Sequence, residues 1–102
     1  MDQLNQVAVY KKANVYFDGK VTSRTVMLPD GSKATLGIML PGTYTFSTDQ
    51  KERMDIQAGE LEYRLENGDW IKIEGEGSFD IAAHSSFEVK VVSVVDYYCT
   101  YG

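Results

Sequence analysis

The sequence predicts an all-β domain, a sandwich or barrel of short strands joined by tight turns. Three observations carry that expectation. Tyr, Val, Ile and Thr are frequent, and the strand-forming stretches alternate apolar with polar residues. Turn signals recur at short intervals: Asp18-Gly19, Pro29-Asp30-Gly31, Pro41-Gly42, Ala58-Gly59, Asn67-Gly68-Asp69 and Gly75-Glu76-Gly77. No segment sustains the i, i+3, i+4, i+7 apolar spacing of a helix.

In chain order, the first thirteen residues are the weakest strand candidates, so residues 1–15 read as an N-terminal extension or edge strand. Tyr44-Thr45-Phe46-Ser47-Thr48 alternates, placing Tyr44, Phe46 and Thr48 on one face. The charged run Asp49 to Arg53 is expected in a connection. Met54-Asp55-Ile56 resumes the alternation, and Ala58-Gly59 is expected to turn the chain. Leu61, Tyr63 and Leu65 flank Glu62 and Arg64, and Phe87, Val89 and Val91 flank Glu88 and Lys90. Each such strand has one buried and one wet face. Tyr97-Tyr98-Cys99-Thr100-Tyr101 ends the chain with an aromatic alternation.

With 102 residues, of which 43% are hydrophobic and 25% charged, the chain suits one folded domain spanning residues 1–102. Ten Lys and Arg against fifteen Asp and Glu give a net charge of −5. That field repels nucleic acid and anionic membranes. A phosphate site would therefore need its own local cation or backbone N–H groups, in a pocket. The single cysteine, Cys99, excludes an intrachain disulfide and a CxxC pattern. Met1 to Tyr10 lacks the pattern of a signal peptide, and no apolar run approaches the ~20 residues of a membrane helix. A cytoplasmic location is the expectation.

Phe17-Asp18-Gly19-Lys20-Val21, the block from Gly37 through Pro41-Gly42-Thr43-Tyr44-Thr45-Phe46-Ser47-Thr48, and then Glu52 and Met54 resemble the cupin-type pyrimidine/purine nucleoside phosphorylases. Gly59, Trp70, Phe79, His84-Ser85-Ser86-Phe87 and Tyr98-Cys99-Thr100-Tyr101 extend the resemblance, which covers residues 16–101. It implies a single cupin barrel (a jelly roll, or double-stranded β-helix) and a homodimer. It also implies an enzyme without a cofactor, whose substrates are nucleosides and inorganic phosphate and whose products are free base and a pentose 1-phosphate. Ala82 departs from the pattern, since a proline commonly opens the turn before His84.

Metal-dependent cupins carry two histidines and a glutamate after the first-motif glycine, and a further histidine in the second motif. Counted from Gly42, Thr48 and Gln50 take the first two positions, Glu52 keeps the glutamate position and Phe87 takes the last. One carboxylate does not supply the three or four ligands of a transition-metal site, so no bound metal is expected.

The same count directs Glu52 into the barrel and makes it the candidate catalytic group, contacting ribose hydroxyls or stabilising the sugar cation. Tyr44, Phe46, Thr48 and Phe87 are the substrate-binding candidates, and Lys20, Ser47, Ser85 and Ser86 the phosphate-binding ones. Strict alternation turns Ser47 outward and favours the Thr48 hydroxyl. His84 reads as a surface-turn histidine and Cys99 as a small buried apolar residue. The alternative from a different class is a non-catalytic cupin that binds a small molecule or sugar in the same pocket.

Overall fold

The computed structural model describes residues 3–102; Met1 and Asp2, part of the N-terminal extension, lie outside them. Nine strands form one rolled antiparallel sheet: β1 (Ala8–Val9), β2 (Asn14–Tyr16), β3 (Val21–Met27), β4 (Lys33–Met39), β5 (Gly42–Ser47), β6 (Glu52–Leu65), β7 (Ile71–Glu74), β8 (Gly77–Ile81) and β9 (Ser86–Tyr101). The only helical element among the described residues is the 3-10 turn Phe17–Gly19. The fold is the all-β, cupin-type barrel that the sequence led us to expect. Both β1 and β2 pair with β3, so the N-terminal residues supply edge strands.

Two long strands organise the rest. β6 and β9 run side by side from the Glu52–Tyr101 pair to the Leu65–Phe87 pair. On its other edge, β9 bonds β5 with its first half and β4 with its second. β6 bonds β8 with its first half and β7 with its second. Rolling the sheet buries one face, where Met39, Ile56, Leu61, Val89 and Val95 are almost wholly removed from water. Each such side chain contributes about 1.5–3 kcal/mol. Tyr63 stacks on Phe79 with ring centroids 3.8 Å apart.

Two expectations are corrected here. Ala58-Gly59 does not turn the chain; it lies within β6, where bulges interrupt the β6–β9 register between Ile56 and Leu61. The irregularity shifts the alternation, so that even-numbered Met54 and Ile56 and odd-numbered Leu61 and Tyr63 all face the core. The charged run is likewise not all connection: Glu52 and Arg53 open β6 and pair with Tyr101 and Thr100. A polar residue is tolerated there because the first position of a strand lies at the barrel rim.

Gly59 sits at φ +100°, and a Cβ on it would overlap the Val94 carbonyl oxygen and lie 2.8 Å from the Val95 Cα. Gly31 shares the left-handed backbone, at φ +87°, but has open space around it. Gly59→Ala is expected to cost about 1–3 kcal/mol more than Gly31→Ala in denaturant unfolding. Equal losses would mean that the bulge is not held by this close approach.

Candidate active site

The concave face of the barrel opens into a cavity of about 180 Å³. Its floor is set by alternation along four strands. β3 contributes Val21 and Ser23, β4 contributes Thr35, β6 contributes Met54, and β9 contributes Tyr97 and Cys99, with Phe87 closing one side; all are buried. Tyr16, Phe46, Ser47, Glu52 and Tyr101 are more exposed and form the rim. Gly37, which follows Thr35 on the inward row of β4, leaves room for Tyr97: a Cβ there would meet the Tyr97 hydroxyl at 2.7 Å.

Most polar groups of the cavity are hydrogen-bonded within the protein. Thr35 Oγ1 and the Tyr101 hydroxyl are 3.0 Å apart, and the Tyr97 hydroxyl donates to the Thr22 carbonyl at 3.2 Å. The Cys99 thiol donates to Glu52 Oε1 at 3.6 Å, which leaves Oε2 to the cavity. Burial pushes the Glu52 carboxyl above its ordinary range, against the opposing effects of the Cys99 contact and the Lys33 charge. Burial also raises the Cys99 thiol, to about 12, with the Glu52 charge adding to it. Cys99 is therefore a neutral donor and not a nucleophile. Tyr97 and Tyr101 are raised mainly by burial and stay protonated at neutral pH.

The cavity brings together Glu52, Phe46, Ser47 and Phe87 of the residues singled out from sequence. Phe46 stacks on Phe87 with centroids 5.3 Å apart. Ser47, expected to turn outward, is exposed and stands at the rim. Tyr44 is a core residue instead: its ring packs on Phe17 and its hydroxyl donates to the Leu40 carbonyl at 2.6 Å. The Thr48 hydroxyl, also buried, donates to the Ala82 carbonyl at 2.7 Å and accepts from the Ser85 N–H at 3.0 Å, which ties β5 to the turn before β9. Lys20 is exposed and outside the lining.

Ser85 Oγ and the Ser86 N–H donate to the Glu66 carboxylate at 3.2 and 3.3 Å. Ser86 lines a second, larger cleft of about 320 Å³ between Arg64, Glu66 and Glu88. There Arg64 pairs with Glu88, and Glu66 accepts from the two serines. His84 sits exposed in a turn at φ +53°. Among the described residues, no three His, Cys, Asp or Glu side chains converge as metal ligands, and no helix is long and apolar enough to cross a membrane.

Sequence reasoning missed Tyr16, Ser23, Thr35 and Tyr97 as cavity residues. Ser23 and Thr35 are only 5% and 6% exposed, a signal that appears only once the strands are paired.

Residues 11–101 match the family model described as pyrimidine/purine nucleoside phosphorylase. A protein of that name from Wolinella succinogenes is 57% identical over 102 residues, covering 99% of this chain and 97% of the relative. Another, from Geobacter sulfurreducens, is 51% identical, with 99% and 98% covered. A crystal structure of a protein of unknown function from Acinetobacter sp. ADP1 superposes with TM-score 0.93 at 37% identity, covering 98% of each chain. Ectoine synthase from P. lautus, at 18% identity and TM-score 0.70 over 81% of this chain and 64% of the other, shares the fold alone.

A carboxyl raised by burial loses its proton later in the folded chain than in the unfolded one, whose value is near the ordinary 4.5. Glu52 therefore leaves stability unchanged below that pH and lowers it as pH rises through the folded value. Glu52→Gln is expected to melt at a higher temperature than the parent at pH 7, with the gap closing below pH 4.5 in thermal scans. A gap independent of pH would remove burial of the charge as its cause.

Proposed function

The chain belongs to the pyrimidine/purine nucleoside phosphorylase family, and on that premise we propose that it is a pentosyltransferase cleaving nucleosides with inorganic phosphate in the barrel cavity. The phosphate oxygen forms a bond to C1′ as the C1′–N bond breaks. The bonding pair leaves with the base, which takes the proton carried by hydrogen phosphate. Positive charge builds on the sugar ring between these events, and an anionic group facing it lowers the barrier.

Glu52 is the observation that carries this reading: it is the one carboxylate on the cavity lining, half-buried, with Oε2 free to face a ligand. Its side chain also suits the vicinal hydroxyls of ribose. The aromatic groups Tyr16, Phe46 and Phe87 offer flat surfaces for a base, and Ser47 an exposed hydroxyl beside them. The reaction as drawn needs no metal, and Thr48 and Phe87, which stand where metal-dependent cupins carry histidines, do not supply ligands for one. Leu36 and Ile38 on β4 and Val92 and Val94 on β9, all exposed, support a homodimer. The enzyme would act in the cytoplasm.

The test is chromatographic release of free base from uridine, adenosine, guanosine and cytidine, with and without phosphate, by chelator-treated protein. Phosphate-dependent release from both base classes is expected, and Glu52→Gln should lower kcat by about a hundredfold or more while remaining folded. Release without phosphate would indicate a hydrolase, and no release at all would leave a binding module.

A further inference from the structure

A phosphate site in this acidic protein needs a local cation or backbone N–H groups, and no Lys or Arg lines the cavity. The inward row of β4 supplies one at its end. Lys33, Thr35, Gly37 and Met39 alternate along one face; Thr35 and Met39 are buried and Lys33 is exposed at the end of the row. Pairing of Ala34 with Thr100 brings Lys33 beside Tyr101, and Tyr101 pairs with Glu52 on the next strand. The Lys33 ammonium lies 4.5 Å from the centre of the Tyr101 ring. Among the described residues, no carboxylate is within ion-pair distance of it.

Resting on the phosphorolysis reading, we propose that Lys33 is the cation that holds inorganic phosphate at the rim of the cavity. The row Lys33, Tyr101, Glu52 runs from a positive to a negative group across three adjacent strands. A transition state with a phosphate anion approaching a cationic sugar has the complementary polarity, with phosphate at Lys33 and sugar at Glu52. The Tyr101 hydroxyl is hydrogen-bonded with Thr35 Oγ1 on the same strand as Lys33. Lys20, Ser85 and Ser86 are not part of this row: Lys20 adjoins Leu40 at the opposite end of the β3–β4 pair from Lys33, and both serines hold Glu66.

The experiment measures initial rates with varied phosphate, together with the rise in melting temperature that inorganic phosphate alone produces by binding the folded protein. For Lys33→Gln, the KM for phosphate should rise about tenfold or more, with the nucleoside KM changed less than about twofold, and the phosphate-induced melting shift should vanish. Lys33→Arg should recover most of both, and Lys72→Gln, which removes a paired lysine on β7, should alter neither. A lower melting temperature with an unchanged phosphate KM would make Lys33 a structural partner of Tyr101 and overturn the proposal. If the parent releases no base, the phosphorolysis reading fails, and the melting shift alone then decides on Lys33. Its absence from the parent, or its persistence in Lys33→Gln, would overturn the proposal.

Discussion

The fold and its cavity both depend on the pairing of β6 with β9. These two strands are long enough to serve two sets of neighbours each, so the sheet rolls around them; β4, β5, β7 and β8 pair with them directly, β3 through β4, and β1 and β2 through β3. A straight strand of fourteen residues could not do this, because period-2 alternation would send the second half of its apolar side chains to the outside if the first half faced in. The bulged segment around Gly59 removes the conflict. It keeps Met54, Ile56, Leu61 and Tyr63 on one face, and it fixes the direction of Glu52, which is two residues before Met54 and therefore points inward.

The alternating strands were legible in the sequence because one face of each is wet: the Leu61–Leu65 and Phe87–Val91 patterns needed nothing beyond period 2. Ala58-Gly59 was not, since a glycine flanked by strand residues signals a turn and a bulge equally, and only the partner strand distinguishes them. β4 was opaque for another reason. Leu36 and Ile38 look like core residues and are exposed, whereas Thr35 is buried, so hydrophobicity assigns the wrong face to this strand. Thr35 consequently gave no sign of facing the cavity. Glu52 was found through family spacing and not through local pattern, which had left it in a charged connection.

Hydroxyl-bearing residues divide along similar lines. Tyr44 and Thr48 were assigned to the inner face, and both are indeed buried. Inward direction does not distinguish a group open to a ligand from one engaged by the backbone. Tyr44 reaches the Leu40 carbonyl, and Thr48 joins two loops. A strand-end hydroxyl near a turn meets unpaired carbonyls and N–H groups that are present whenever the chain folds, and these satisfy it before any ligand arrives.

The size of the cavity bears on how, on the proposed reading, one site would serve two classes of base. At about 180 Å³ it is smaller than the ~300 Å³ at which pockets begin to enclose a whole drug-sized ligand. The buried floor carries the hydroxyls of Ser23, Thr35 and Tyr97, while the exposed rim carries Tyr16 and Phe46. On the proposed reading, a nucleoside with its pentose at Glu52 would leave its base against the aromatic faces of the rim, open to water. Stacking on an open face is indifferent to whether one ring or two is present. On that reading, breadth toward the base would follow from an open aromatic rim whose stacking faces do not read one base against another.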